Sequence, residues 1–270
     1  MPSRPVGQVA GVNGGAVRTR PAVRYGTDEV PDARRVKDLG ARHPSYRKLF
    51  EDGRLDIGVM FGFDTPDRAA MHGGFRALAD VFRSSGWRVA EEDPRHVRLQ
   101  KDVVIDGRSV RLSLRIASGH ENPDAGAELL QSMRQDEVVI FAGHSRMHEG
   151  IRLSAGDPGF LYLANPAKRD LERVKFGDQD QLLVLMSCVS EQFCDELRTR
   201  KGPERLKIFA ANRQLSLSDY PDMIDRFIET LQRQGSAQEL LDALDKGNMF
   251  TPEGAWGSFG FADDPAPAER

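Results

Sequence analysis

The sequence predicts an α/β protein: a mostly parallel central sheet with helices on both faces. Three observations carry that expectation. Val138–Ala142 (VVIFA), Leu182–Met186 (LLVLM) and Leu206–Ala211 (LKIFAA) are short runs without polar alternation. Strands apolar on both faces belong inside a parallel sheet covered by helices. Between these runs lie segments whose apolar residues recur at helical spacing, and such strand–helix alternation is the signature of the α/β class. The chain has 270 residues, 39% of them hydrophobic, which suffices for one large core.

In chain order, residues 1–50 are rich in Gly, Pro and Arg and show no sustained periodicity. They read as an N-terminal arm, either flexible or draped over the domain. Asp56–Phe63 (DIGVMFGF) reads as a buried strand. Thr65 and Pro66 supply an N-cap and first helical position. Met71, Phe75, Leu78, Ala79 and Phe82 then mark one face of a helix, ended by Ser84-Ser85-Gly86. The paired glycines after Met71-His72 suit close packing. Trp87–Glu91 is a short strand. Two alternating runs flank Asp106-Gly107, a strong hairpin signal. Asp124–Gln135 is a helix, and Glu191–Arg200 follows the LLVLM strand as another. Asp219–Gln234 places Tyr220, Met223, Ile224, Phe227, Ile228 and Leu231 on one face. Ser236 and Glu239 form a capping box for a last helix carrying Leu240, Leu241 and Leu244.

Composition excludes several functions. Lys and Arg number 38 against 41 Asp and Glu, a net charge of −3, which gives no electrostatic attraction to nucleic acid or anionic membrane. No basic stripe with interleaved aromatics appears. The apolar runs are too short to span a bilayer, and the N-terminus has no apolar signal region. A cytoplasmic location is the expectation. The two cysteines, Cys188 and Cys194, cannot make a disulfide framework or a four-thiolate zinc site. Gly53, Gly58 and Gly62 do not form a dinucleotide fingerprint. No cofactor is expected.

Functional groups in open α/β sheets collect at the carboxyl ends of strands. VVIFA runs into Gly143-His144-Ser145-Arg146, and LLVLM runs into Ser187-Cys188-Val189-Ser190. If the two strands are parallel neighbours, His144 and Cys188 project from one edge. A cysteine beside an imidazole can be activated as a nucleophile, with the histidine moving protons. Cys194 falls within a helical pattern with Phe193 and Leu197 and reads as a core residue. Taken alone, Cys188 reads equally as a small buried hydrophobe and His144 as a structural histidine. His144 and His148 also form His-x-x-x-His followed by Glu149, but Gly143 and Gly150 bracket the segment and Ser145 stands where the usual zinc motif has Glu. A metal site is not expected.

VVIFAGHSR followed by LLVLMSCVS resembles the catalytic core of the caspase-like (clan CD) cysteine peptidases, closest in flavour to bacterial CHAT and clostripain-type domains. Members place a histidine after one core strand and a cysteine after the next. The resemblance covers the element order over about residues 56–245 and, at residue level, the two short motifs. It implies a caspase-like three-layer sandwich over residues 51–260, with 261–270 a polar tail. It implies Cys188 as nucleophile, His144 as general base and acid, and an oxyanion hole from the backbone N–H groups of Ser145 and Cys188. The usual residue after the histidine is glycine; Ser145 departs from that. Metacaspase- and legumain-type sequences carry an acid two positions before the cysteine, where this chain has Met186, so a preference for a basic P1 side chain is discounted. Asp64 and Arg146 are further substrate-binding candidates, and Arg146 reads equally as a solvated loop residue. The expected partner is a protein or peptide substrate, with room for an activating partner. The segment Glu149–Gln181, with a short strand at Phe160–Leu163, is expected to form a loop beside the cleft. Two alternatives stay open: a catalytically inactive interaction module of the same fold, and a metal-assisted α/β hydrolase using His144 and His148.

Overall fold

A computed structural model describes residues 42–62, 68–146, 150–153, 174–202, 204–251 and 253–259. Eight strands form one sheet. In chain order they are β1 (Arg54–Phe61), β2 (Arg88–Glu92), β3 (His96–Ile105), β4 (Arg108–Ser118), β5 (Val138–Ala142), β8 (Gln181–Met186), β9 (Leu206–Ala211) and β10 (Trp256–Phe259). The spatial order is β10-β9-β8-β5-β1-β4-β3-β2. The five central strands, from β9 to β4, are mutually parallel, and β10, β3 and β2 add antiparallel margins. The short strands β6 (Ser145–Arg146) and β7 (Gly150–Ile151) pair separately, just past the end of β5.

Helices cover both faces, as the apolar runs require. One face packs on α2 (Arg68–Ser84), α5 (Tyr220–Gln232) and α6 (Ala237–Asp245). Phe75, Leu78, Phe227 and Leu240 meet Ile57, Ile140, Val184 and Phe209 there. The other face packs on α3 (Ala125–Gln135) and α4 (Cys194–Lys201), where Leu129, Met133 and Leu197 meet Val139, Leu183 and Ile208. Alternate residues of β5 and β8 thus point into two cores, which explains why neither strand shows alternation.

Local chemistry fixes the boundaries. Asp106 and Gly107 both take positive φ (50° and 75°) and close the β3–β4 hairpin. Ser236 and Glu239 make the reciprocal capping box that starts α6. α5 begins at Tyr220 with Pro221 in its first turn, and it ends at Gln232, shorter than the expected Asp219–Gln234 because Gln234 turns left-handed at φ 55°. The helix expected at Glu191–Arg200 is split: a 3₁₀ turn over Ser190–Phe193 precedes α4. The first strand stops at Phe61, before the expected Phe63, and Gly62 N–H instead bonds the Ala142 carbonyl at 2.8 Å.

The arm is draped at its end. Tyr46 and Leu49 of α1 (Tyr46–Leu49) are buried in the first core. Tyr46 donates to the Gly235 carbonyl at 2.6 Å, and Ala237 N–H donates to the Arg42 carbonyl at 2.7 Å. The packed domain therefore reaches back of residue 51 to at least Arg42. The readings of Asp64, Thr65, Pro66, His148, the Phe160–Leu163 strand and the 261–270 tail lie outside the described residues. No described helix is long and apolar enough to cross a membrane.

Candidate active site

β5 and β8 are adjacent and parallel, with Val138 opposite Leu182 and Ala142 opposite Met186. That register has a constant offset of 44 residues (142 to 186), which is also the separation of His144 and Cys188 (144 to 188). Both residues lie two positions beyond the last paired residues, past the carboxyl ends of the two strands. The ladder runs one step further: Gly143 N–H donates to the Met186 carbonyl at 3.0 Å. A Cβ on residue 143 would fall 2.6 Å from the Phe141 ring and 3.2 Å from Gly62 Cα, so only glycine lets the chain pass there into His144.

The cysteine turn is held tightly. Ser190 Oγ donates to the Leu185 carbonyl at 2.7 Å and accepts the Ala211 N–H at 2.9 Å, stitching the turn to β8 and β9. Val189, directly after Cys188, sits in the left-handed region at φ 53°, ψ 34°. A β-branched residue there is strained, and such strain persists only where surrounding contacts over-determine it. Val189 N–H is anchored on the Arg213 carbonyl at 3.3 Å.

Ser145 joins the two motifs. Its hydroxyl donates to the Cys188 carbonyl, tying the histidine segment to the cysteine turn. Arg152 N–H donates to the His144 carbonyl at 3.1 Å, which makes Ser145–Ile151 a non-hydrogen-bonded pair of the β6–β7 hairpin. The Ser145 N–H is therefore directed away from β7. The extended conformation of Ser145–Arg146 does not form the helical turn on which a His-x-x-x-His metal pair would rely.

Cys188 is half-buried and Cys194 is buried. Burial pushes the Cys188 thiol above its ordinary pKa, opposed by hydrogen bonds from the Leu215 N–H and its own N–H. Burial pushes the Cys194 thiol up much further; it contacts the Ser190 carbonyl at 4.0 Å inside the second core. Tyr220, read from sequence as one more apolar position of a helix face, is fully buried and its hydroxyl donates to the Gly143 carbonyl at 3.2 Å. Burial, and then the neighbouring Cys188, push its phenol pKa well up. A tyrosine at a core-facing period carries no signal of that polar contact; only the topology brings the start of α5 under the ends of β5 and β8.

The other candidates fare differently. Met186 is wholly buried among the residues facing α2 and α5, and so offers no surface to a substrate. Its proposed place in a substrate pocket is corrected: the alternation of β8 turns its side chain into the core. Only the backbone of Arg146 is described, in β6, and Asp64 lies outside the described residues. Among the described residues no group of three or more His, Cys, Asp or Glu could hold a metal ion. A cavity of about 370 Å³ lined by Arg54, Gln100, Asp102, Ser109 and Arg111 lies at the opposite, amino-terminal edge of β1 and β4. Its arginines are already paired with Asp56 and Asp102. The geometry of chemical interest is thus the carboxyl edge of β5 and β8. No protein-family model matches the chain, and no significant match to a curated protein was found.

Proposed function

We propose that the chain is a caspase-like cysteine endopeptidase working through Cys188 and His144, and that its sheet is the central layer of a caspase-like sandwich. The observation that supports the reading is the register of β5 on β8: the strands that run into His144 and Cys188 are parallel neighbours and end together. In this reading His144 takes the Cys188 proton as the sulfur attacks a peptide carbonyl carbon. The oxygen of the tetrahedral intermediate is met by the N–H groups of Ser145 and Cys188. His144 then gives its proton to the leaving amine, the C–N bond breaks, and a thioester remains. Water, deprotonated by His144, attacks the thioester and releases the acid and the free thiol. Ser145 and Tyr220 are positioning residues, one bound to the Cys188 carbonyl and the other to the Gly143 carbonyl.

The thiol pKa raised by burial favours one competing reading, a non-catalytic interaction module of the same fold. Labelling with a thiol-directed peptide electrophile separates the two. Cys188→Ala abolishes labelling and Cys194→Ala leaves it intact if the peptidase reading holds. Equal labelling of both variants, or none of the wild type, refutes it.

A further inference from the structure

We propose that Asp93, His96 and Glu128 form a proton-operated latch: a charged His96 ring ties the β2–β3 turn to α3, and a neutral ring releases α3. His96 opens β3 with both ring nitrogens on carboxylates. Its Nδ1 lies 3.0 Å from Asp93 Oδ2, and its Nε2 lies 3.0 Å from each oxygen of Glu128. A carboxylate only accepts, so each contact needs an N–H on the ring. A neutral imidazole has one such N–H and the imidazolium has two. The arrangement is therefore that of the charged ring. The charged groups facing it are Asp93 from the turn and Glu128 from α3; Ala117, opposite on β4, carries no charge. Burial pulls the ring's pKa down, but the hydrogen bonds and charges of the two carboxylates together carry it above the ordinary 6.5.

The two carboxylates are not held alike. Asp93 also accepts the backbone N–H groups of Arg95 at 2.7 Å and His96 at 2.9 Å, so it stays in its turn whatever the ring carries. Glu128 lies 32 positions along the chain, and its other partner is the Asn122 amide at 3.3 Å. When the ring loses one proton, the other stays on the side of Asp93, three residues away. Nε2 then turns a lone pair toward the Glu128 carboxylate, and that contact opens. The His96 and Glu128 side chains are 30% and 20% exposed, so solvent screens the pair only in part. Opening frees the first turn of α3 and the connection before it, residues 119–124, at the carboxyl edge of the sheet. Asn122 is buried there, and the Gly119 N–H bonds the Phe61 carbonyl at 2.7 Å. Because folding raises the pKa of His96, the latch is fully closed below about pH 6.5 and opens as pH rises through the folded value. It does not depend on the peptidase reading.

The test uses the full chain. Nitrogen NMR of the imidazole follows the proton, and hydrogen exchange, corrected for its intrinsic rate, follows residues 119–128. Wild type is expected to carry both ring protons at about pH 5.5 and to titrate above 6.5. Its protection over residues 119–128 is expected to fall several-fold between about pH 5.5 and about pH 9. His96→Gln and Glu128→Gln are expected to show equal protection at both values. The amide of Glu128→Gln can accept from an N–H or donate to a lone pair, so its contact survives either ring state. That variant keeps the ring and the side-chain shape, and it gives the answer if His96→Gln does not fold. A ring that titrates at or below 6.5, or wild-type protection equal at both pH values, overturns the latch. A loss of protection retained in both variants assigns it to Glu137, which burial raises to about 7 just past the end of α3, and overturns the latch as well.

Discussion

Replacing Asp219 tests how the loops around the candidate site are held. Its carboxylate takes three backbone N–H groups of residues 249–251 and immediately precedes α5. In Asp219→Ala the N–H groups of Met249 and Phe250 turn to water and recover most of their bonding, a loss of about 0.5–1 kcal/mol each. Thr251 is buried, so its N–H loses the shortest of the three bonds without a solvent substitute, about 1–3 kcal/mol. The sum is about 3 kcal/mol. For a domain of this size that lowers the melting temperature by roughly 6–12 °C. Asp219→Asn keeps one acceptor oxygen and loses the charge, so about half the effect is expected. The assay is urea unfolding at pH 7, read as a shift of the midpoint with the slope held constant. An alanine variant within 1 kcal/mol of wild type would show that the three bonds do not hold the turn.

Three further outcomes are expected. Tyr220→Phe removes only the hydroxyl on the Gly143 carbonyl; it should cost about 1 kcal/mol in stability and slow peptide-electrophile labelling of Cys188 several-fold. Labelling at the wild-type rate would deny Tyr220 a positioning role. Val189→Asn places a residue that tolerates the left-handed region where a β-branched one is strained, and should raise stability by about 1 kcal/mol; a loss of that size would contradict the strain. Burial raises Glu137 from its ordinary value to about 7. The folded state then holds that proton more tightly than the unfolded one, so this group's contribution is full below about pH 4.5 and is lost as pH rises to 7. Glu137→Gln should therefore be more stable than wild type by about 1–2 kcal/mol at pH 8, allowing for partial exposure, with no gain at pH 4. An equal difference at both values would assign the effect to packing.

Legibility in the sequence followed the range of the forces. Features set by a few neighbouring residues were readable: the Asp106-Gly107 hairpin, the Ser236–Glu239 capping box, the uninterrupted apolar strands. Features set by distant partners were not. Tyr46 is ordered by a carbonyl 189 positions away, so the sequence left both readings of the arm open, flexible or draped. The 3₁₀ turn at Ser190–Phe193 follows from the left-handed Val189 and the bonds of Ser190 to β8 and β9, which no local propensity encodes. Met186 was read by its position relative to Cys188, when the pleat of β8 had already turned it inward. His144 and Cys188 were legible as strand-end residues, whereas the direct pairing of β5 with β8 that brings those strand ends together was not.

The protonation of Cys188 shapes what the site can do. Backbone N–H groups of Leu215 and Cys188 favour negative charge on the sulfur, yet burial outweighs them and pushes the thiol above its ordinary pKa. In the proposed peptidase the proton would therefore leave Cys188 as its bond to carbon forms. In that proposal the pairing of β5 with β8 is more consequential than any single hydrogen bond, because general-base catalysis needs an imidazole within reach in the transition state. Cys194 has the burial without donors or access, and the contrast between the two thiols is one of surroundings, since the chemistry of the side chains is identical.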